Sequence, residues 1–262
     1  MVRTVIDQMG FEITFAYPPG KIVSLVPSQT EFLFDLGLEK EIRGITKFCI
    51  HPKNQVQKIQ KIGGTKKFNF EKIRNISPDI IIGNKEENYK EGIEELKKDF
   101  PVWMSDITTL SDAFHMMNSL GKITGKEEQS IRLVNGLGKD FDDFHLNVSA
   151  TALYFIWRKP YMVVGGGTFI DDMLERCGFM NLASKQDRYY EISPDEIYKH
   201  SPEVILLSSE PFPFKQKHID EFKEISPRSK IFLADGEMFS WYGTRLQYAI
   251  PYFQALGKNM KA

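Results

Sequence analysis

Three consecutive glycines, Gly165–Gly167, follow an apolar stretch and precede Thr168, where a helical period begins. Glycine-rich turns between a strand and a helix are typical of phosphate-binding loops, because backbone N–H groups and the helix N-terminus bind anions there. The G-x-G-x-x-G spacing is absent, since position 170 is Ile170, and no Walker lysine follows the glycines. The segment therefore predicts a tight backbone turn with Thr168 directed at a polar ligand group, rather than a nucleotide site.

Residue types that carry catalysis are scattered. The five histidines show no H-x-H or H-E-x-x-H spacing, and the sequence has no G-x-S-x-G segment. Cys49 and Cys177 lack C-x-x-C spacing, so they are predicted to be free thiols, with a long-range disulfide as the alternative. We therefore expect a protein that is not an enzyme and holds no cofactor or metal of its own. His51, in a predicted loop, is a weak candidate metal ligand.

Aromatic side chains are concentrated in the segments that the pattern predicts as loops. Rings at loop tips are typical of a contact surface for a large flat or apolar ligand, and the basic residues among them suit carboxylates or phosphates. Packing within the loops is the alternative for any single ring. The candidate ligand-binding residues of this kind are Phe48, His51, Lys66, Phe68, Trp157, Arg158, Tyr161, Tyr189, Tyr190, Phe239, Trp241, Tyr242 and Arg245.

The bulk composition limits the classes of partner. The chain has 262 residues, enough for two lobes that each bury a core. Its formal net charge of −1 gives no global attraction to nucleic acid or acidic membranes. No apolar run approaches the ~18 residues that a transmembrane helix needs, and the first residues lack an export signal. We expect a cytoplasmic location if Met1 is the native start.

Apolar stretches alternate with helical periods on both sides of a long helical segment. This pattern predicts an α/β protein with mainly parallel sheets: one lobe over residues 1–107, a connecting helix over 108–147 and a second lobe over 148–262. A hairpin around Met9–Gly10 opens the chain. The predicted strands are 21–26, 42–46, 79–83, 101–104, 152–157, 161–164, 203–208 and 230–234. The predicted helices are 28–37, 69–76, 87–99, 168–177, 215–224 and 241–256.

The two predicted lobes share a sequence pattern. "FEKIRNISPDIIIG" (70–83) and "PDEIYKHSPEVILLS" (194–208) place Glu71 opposite Asp195 and Asp79 opposite Glu203, at an offset of 124 residues. The pattern predicts one α/β unit used twice, with a ligand in the cleft where two such lobes meet. The alternative is that Ser-Pro before an apolar strand is common turn chemistry.

Three segments carry a resemblance to a known family: "KIVSLVPSQTEFLFDLGL", "GGTKKFNFEKIRNISPDIIIGNKEEN" and "GGGTFIDDMLERCGFMNL". In this order, with the helical segment between them, they resemble the helical-backbone substrate-binding proteins of ABC importers, and the cobalamin-binding branch looks closest. The resemblance covers nearly the whole chain. It implies two lobes joined by one long backbone helix, a periplasmic monomer, and a metal chelate (corrinoid, haem or ferric siderophore) delivered to a permease.

The resemblance also implies roles for individual residues. One exposed acid per lobe is expected to dock on the permease: Glu71 in the first, and Asp195 or Glu196 in the second, with helix capping as the alternative. Where cobalamin receptors have tryptophans over the corrin, this chain has Thr65 and Tyr189. Their acid–arginine pair before the last helix corresponds to Glu237 and Trp241. A cytoplasmic carrier or sensor of the same fold, and a two-lobe transferase, are the rival hypotheses.

Overall fold

The computed structural model describes residues 1–146 and 148–261, and the chain divides into two compact units. Unit 1 comprises residues 1–107, 111–139 and 242–245. Unit 2 comprises residues 108–110, 140–241 and the described residues from Leu246 onward. Asn147, the last residue of the predicted connecting segment, and Ala262, the last of the predicted second lobe, lie outside the described residues.

The first half of the chain forms nine strands and six helices. In chain order they are β1 (Val2–Ile6), β2 (Glu12–Ala16), β3 (Ile22–Ser24), α1 (Pro27–Asp35), β4 (Ile42–Ile45), α2 (Lys53–Val56), β5 (Gln60–Lys61), β6 (Gly63–Gly64), β7 (Lys67–Phe68), α3 (Phe70–Ile76), β8 (Ile80–Asn84), α4 (Lys90–Lys97), β9 (Val102–Ser105), α5 (Leu110–Thr124) and α6 (Glu127–Asp142).

The main sheet of unit 1 has the strand order β5-β4-β3-β8-β9, and all four pairings are parallel. Its central strands are continuous apolar runs, because helices cover both faces of such a sheet. Ile80, Ile81 and Ile82 are completely buried. The predicted opening hairpin is confirmed as β1 and β2, which turn at Gly10. We call the side where the parallel strands end the carboxyl edge of the unit.

The connecting segment is helical, as predicted, but its helical run is divided into α5 and α6. Gly125 adopts a φ of +74°, a left-handed conformation that ends α5. Ser130 Oγ donates to the carbonyl of Met117 at 2.8 Å, and a Cβ on Gly121 would lie 2.4 Å from the Ser130 Cβ. Helix α6 therefore packs back against α5, which the periodicity alone does not reveal.

After α6, the described residues form six strands and five helices. They are β10 (Ala150–Trp157), β11 (Met162–Val164), α7 (Phe169–Arg176), β12 (Phe179–Asn181), β13 (Tyr189–Glu191), α8 (Pro194–His200), β14 (Val204–Ser208), α9 (Gln216–Ile225), β15 (Lys230–Ala234), α10 (Gly236–Ser240) and α11 (Leu246–Lys261). The sheet order is β13-β11-β10-β14-β15, with β12 also paired to β10. Strands β10, β12, β14 and β15 are parallel, whereas β11 is antiparallel to both its neighbours.

The repeated sequence pattern has the same structure in both units. The side chains of Asn69 and Ser193 cap the first turns of α3 and α8. Both helices end at a left-handed serine, Ser77 with φ 50° and Ser201 with φ 45°. A parallel central strand, β8 or β14, follows each helix after a Ser-Pro pair.

The acids that the repeat aligns also share a role. Asp79 Oδ2 accepts hydrogen bonds from the backbone N–H groups of Gly20 and Lys21 at 2.8 and 2.9 Å. Glu203 Oε2 accepts from the backbone N–H of Thr151 at 2.7 Å. Each carboxylate thus fixes the chain just before or at the start of the neighbouring strand, β3 or β10.

The predicted last helix over 241–256 needs correction. The structure has α10 before this segment and α11 from Leu246, with Trp241–Arg245 outside any helix. Gly243 has a φ of +98°, which helical backbone does not allow. A Cβ there would lie 3.3 Å from the Cβ of Phe32, so this stretch runs close along α1.

Candidate functional site

An exposed phenyl ring lies at the carboxyl edge of unit 1. Phe48 follows β4 and is 49% exposed. A Cβ added to Gly64 would lie 3.2 Å from the ring, so the absence of a side chain there makes room for it. Lys47 Nζ lies 5.0 Å from the ring centroid, within the range of a cation–π contact.

The neighbouring loops of unit 1 are tied together by hydrogen bonds. Asn88 Nδ2 donates to the carbonyl of Thr65 at 3.1 Å, and Lys66 Nζ donates to the carbonyl of Glu86. Half-buried His51 lies in the same loop as Phe48. The backbone N–H of Lys47 donates to the carbonyl of Gly63 at 2.8 Å, so the loop of Phe48 and His51 lies at the same edge as Thr65 and Lys66.

No metal centre is formed by the described residues. Among residues 1–146 and 148–261, no three His, Cys, Asp or Glu side chains are grouped so that they could hold a metal ion. Cys49 and Cys177 are both buried and free, which confirms the predicted thiols. Burial raises the pKa of each thiol, so neither is poised as a thiolate.

Phe68 was predicted to contact a ligand, and the structure corrects this. Its side chain is only 6% exposed and belongs to the unit 1 core. Its ring lies 4.9 Å from the ring of Tyr89, centroid to centroid. Because β7 turns this side chain inward, Phe68 fixes the β6–β7 hairpin on the core.

Tyr242 and Arg245 are likewise engaged within unit 1. Arg245 donates from Nε and Nη2 to the two carboxylate oxygens of Glu31, and Tyr242 is buried. Thr244 donates to the Asp35 carboxylate one turn further along α1. The predicted ligand contact of Arg245 is therefore corrected, since a carboxylate of the chain already binds its guanidinium.

Trp157 ends β10 at the carboxyl edge of unit 2. It is 40% exposed, and its ring forms an edge contact with that of Phe212, 5.9 Å between centroids. Phe212 follows β14, the strand beside β10, so two adjacent strand ends supply the pair. Unit 2 thus also has an exposed aromatic surface at its carboxyl edge.

A carboxylate of α9 organises the turn that follows Trp157. Arg158 Nε donates to both oxygens of Glu221, at 3.0 and 2.9 Å, and the hydroxyl of Tyr161 donates to the same group. Partial burial alone would raise the pKa of Glu221, but the hydrogen bonds from Arg158 and Tyr161 outweigh it and lower the pKa. Burial and the Glu221 contact raise the pKa of Tyr161 to about 12. Both predicted residues thus have fixed positions at this edge.

A second carboxylate, Glu210, fixes the segment after β15. Its Oε1 accepts from Trp241 Nε1 and from Ser240 Oγ, both at 2.9 Å. Burial raises the pKa of Glu210, and the charges of Glu237 and Asp235 raise it further. Half-buried Glu237 lies in the first turn of α10, near this carboxylate. Trp241 is therefore a buried, hydrogen-bonded residue rather than the exposed ring that was predicted.

Phe239 is a core residue. It is completely buried, with its ring 4.8 Å from Phe253 and 5.1 Å from Tyr154 between centroids. The predicted ligand contact is corrected because α10 directs this side chain into unit 2. The loop position of a ring does not by itself show which way it points.

The glycine triplet allows two backbone segments to pack closely against each other. A Cβ on Gly165 would lie 2.4 Å from the carbonyl oxygen of Gln186, and one on Gly166 would lie 2.2 Å from that of Ser184. Thr168 is 2% exposed and caps α7 by accepting from the Asp171 N–H at 3.2 Å. Since β11 is antiparallel to β10, this turn leads away from the edge where Trp157 lies. The predicted direction of Thr168 toward a ligand is thus corrected.

Tyr189 and Tyr190 lie on β13, beside β11. Tyr189 is half-buried opposite Val164, and Tyr190 is opposite Val163. The hydroxyl of Tyr190 donates to Glu196 Oε1 at 2.6 Å, which turns that side chain toward α8. Because Val164 is the end of β11 that lies away from Trp157, Tyr189 is not at the carboxyl edge where Trp157 lies, which corrects its predicted place at the site. Tyr190 has a structural partner.

The predicted docking acids differ in their surroundings. Glu71 and Asp195 occupy equivalent positions in the first turns of α3 and α8; both are exposed, without a hydrogen bond or ion pair to the described residues. Glu196 instead completes a capping box with Ser193. The hydrogen bond from Tyr190, followed by those from Ser193, lowers the pKa of Glu196 to about 2. Of the two alternatives in unit 2, Asp195 is the acid available to a partner.

Three acids that hold candidate site residues in place were not predicted from the sequence: Glu31, Glu210 and Glu221. Each binds a residue that was predicted at the site, yet the partners are between 31 and 214 residues apart along the chain. Glu31 and Glu221 lie in predicted helices, where acids are ordinarily solvated. No spacing signal could have identified them.

The sequence and the fold of this chain are similar to those of known proteins. Residues 22–226 match the family described as periplasmic binding protein. The chain belongs to the periplasmic binding protein family. Members of this family bind substrates for transport and are not enzymes, so the enzyme hypothesis is set aside. None of the helices in the described residues is both long and apolar enough to cross a membrane.

Individual relatives agree with the family assignment. The chain is 25% identical over 258 residues to an ABC transporter substrate-binding lipoprotein of Bacillus subtilis, YvrC, covering 93% of this chain and 81% of the relative. Its fold is shared with the periplasmic vitamin B12-binding protein BtuF of Vibrio cholerae (TM-score 0.75, 17% identity, 93% and 98% of the two chains). It is also shared with the periplasmic heme-binding protein RhuT of Roseiflexus sp. RS-1 (TM-score 0.77, 18% identity, 92% and 97%).

Proposed function

We propose that this member of the periplasmic binding protein family is a receptor for a metal chelate (a corrinoid, haem or ferric siderophore) and delivers it to an ABC importer outside the cytoplasm. The observation that carries the proposal is an exposed aromatic ring at the carboxyl edge of each unit, Phe48 and Trp157. Parallel α/β sheets bind ligands at this edge. Relatives that are vitamin B12-binding and heme-binding proteins support the ligand class.

The two rings have the features of ligand contacts rather than of loose surface side chains. Phe48 rests on Gly64 and Trp157 on Phe212, so each ring is held while a large part of it stays exposed. Flat chelates offer a large apolar face, and stacking such a face on an ordered ring has a small entropic cost. We propose each ring as a direct contact, together with Tyr161, which precedes β11 on the side of Trp157.

Titration of the purified protein tests this proposal. Cobalamin, cobinamide, ferric protoporphyrin IX and ferric siderophores are added while absorbance and tryptophan fluorescence are followed. At least one should bind with a Kd below about 10 μM, roughly −7 kcal/mol. Phe48→Ala and Trp157→Ala should each weaken that binding about tenfold or more. Tyr198→Ala removes an aromatic side chain that is 67% exposed on α8 and serves as the matched control.

We further propose that Glu71 and Asp195 dock on the importer. Their equivalent positions, exposure and lack of partners among the described residues suit a two-point contact with basic groups. Glu71→Lys and Asp195→Lys should lower ligand-stimulated ATPase activity of the reconstituted importer without changing the Kd for the ligand. Glu91→Lys, in the first turn of α4, is the control. Equal effects of all three would contradict specific docking.

The proposed receptor acts as a monomer. Size-exclusion chromatography with light scattering, with and without the bound chelate, tests this point. A mass of twice 30.3 kDa would contradict it.

A further inference from the structure

The loops at the carboxyl edge of unit 1 carry a strong excess of positive charge. From Ile42 to Phe70 the chain has Arg43 and six lysines and no aspartate or glutamate, although the whole protein has a net charge of −1. Five of these lysines lie between the end of β4 and the start of β7, and the sixth is the first residue of β7. The neighbouring loop contributes only two acids, Glu86 and Glu87, against this excess. Lys47, Lys61, Lys66 and Lys67 lie at or beyond the ends of β4 and β5, at the carboxyl edge, whereas Arg43 within β4 and Lys58 before β5 lie toward the opposite edge.

The lysines differ in the contacts that their ammonium groups make within the protein. Lys66 Nζ donates to the carbonyl of Glu86 and Lys61 Nζ to that of Cys49, so these two brace the loops. Burial also lowers the pKa of Lys61. Lys47 is exposed, and its Nζ lies 5.0 Å from the centroid of the Phe48 ring. No ion pair or side-chain hydrogen bond joins it to another of the described residues. Its three ammonium donors are thus available beside the exposed ring.

Lys47 and Phe48 form one surface, in which a positive charge lies beside an exposed apolar ring. Both side chains rest on Gly64: a Cβ there would lie 3.2 Å from the Phe48 ring and 3.6 Å from Lys47 Cε. The backbone N–H of Lys47 also donates to the carbonyl of Gly63 at 2.8 Å, which fixes the pair on the β6–β7 hairpin. A molecule whose apolar face covers Phe48 would bring its rim to the ammonium group.

We infer that the chelate is an anion, whose acidic groups bind Lys47 while its apolar face covers Phe48. This inference rests on the proposed function and narrows it. A charge-assisted contact favours carboxylate or catecholate oxygens over the amide rim of a corrinoid. The basic surface also attracts an anion over a distance, so association slows with increasing salt.

Chelates matched in shape but not in charge test the inference. Ferric protoporphyrin IX, with two carboxylates, is compared with its dimethyl ester, and an anionic ferric triscatecholate is compared with cationic ferrioxamine B. Cyanocobalamin and dicyanocobinamide represent corrinoids. We expect an acidic chelate to bind best and to lose affinity as ionic strength rises. A corrinoid, ferrioxamine B or the ester as the tightest ligand would overturn the inference while leaving the receptor function intact.

Substitution of Lys47 assigns the effect to this residue. Lys47→Gln should weaken binding of the tightest acidic chelate about tenfold, the loss typical of one charge-assisted hydrogen bond, and Lys47→Arg should retain most of the affinity. Lys40→Gln, an exposed lysine before the start of β4 and hence at the opposite edge, is the control. Equal affinities of wild type and Lys47→Gln would overturn the inference. If no chelate of the panel binds, the proposed function itself fails.

Discussion

Arg245 donates to both carboxylate oxygens of Glu31, from Nε at 2.8 Å and from Nη2 at 2.6 Å, and each side chain is only 11% exposed. One turn further along α1, Asp35 accepts from Thr244, and burial raises the pKa of this carboxyl. Residues 242–245 follow the long central part of unit 2 in sequence but belong to unit 1. These contacts fix that returning segment on α1.

Breaking the Arg245–Glu31 pair should destabilise unit 1. Arg245→Met leaves the Glu31 carboxylate shielded and unpaired, so we expect a loss of about 3 kcal/mol in the free energy of unfolding, measured by urea denaturation. The double variant Glu31→Met/Arg245→Met should recover part of this loss. Arg74→Met breaks exposed pairs with Glu95 and Asp99 and should cost less than about 1 kcal/mol. Equal losses for Arg245→Met and Arg74→Met would refute the argument.

Because the Glu210 carboxyl is buried, two substitutions of this residue should affect the stability of the protein differently. Glu210→Ala leaves Trp241 Nε1 and Ser240 Oγ without their acceptor and should cost about 2 kcal/mol. Glu210→Gln keeps an acceptor oxygen and removes a buried charge, so the Tm at neutral pH should be unchanged or higher.

The pH dependence separates these two effects of Glu210. Because its pKa is raised in the folded state, its contribution favours folding at low pH and is lost as pH rises through that raised value. Thermal unfolding over a pH series should show this component in wild type and not in Glu210→Gln. Identical pH profiles would show that the carboxyl is not desolvated.

Glu196 should contribute to stability in the opposite pH range. Its pKa is lowered from 4.5 to about 2, chiefly by the Tyr190 hydroxyl. The stabilisation is therefore complete above pH 4.5 and is lost as pH falls toward 2. Acid unfolding monitored by circular dichroism should lose this component in Glu196→Gln. Asp195→Asn, next to it but without a hydrogen-bond partner among the described residues, should retain it.

The longer apolar strands were predictable because consecutive apolar residues indicate burial, whereas the short strands β5, β6, β7, β12 and β13 were not predicted. Val204–Ser208 and Ile80–Asn84 are apolar runs behind a Ser-Pro turn, and each is found within one residue of its predicted start. The aligned pattern also identified equivalent acids. Such features depend on neighbours in sequence, which periodicity and turn chemistry describe well.

The candidate site was less predictable because exposure depends on partners far away in the chain. Phe48 and Phe239 both lie near strand ends, yet one ring is 49% exposed and the other completely buried. The difference arises from Gly64 beneath the first ring and Phe253 beside the second. Arg158 and Arg245 looked like ligand-binding cations because their partners, Glu221 and Glu31, lie in helices distant in sequence.

The glycine triplet provides a test of backbone contact against ligand contact. Gly166→Ala would place a Cβ 2.2 Å from the Ser184 carbonyl oxygen, so the facing segment must move; we expect a loss of about 2 kcal/mol in the free energy of unfolding. Gly136→Ala, in α6 with no atom within 4 Å of its Cβ, should instead stabilise the protein by about 0.5–1 kcal/mol. Urea denaturation measures both. A backbone packing role requires Gly166→Ala to lower the free energy of unfolding. If the variant kept its stability and lost only chelate binding, the glycines would be assigned to a ligand contact instead.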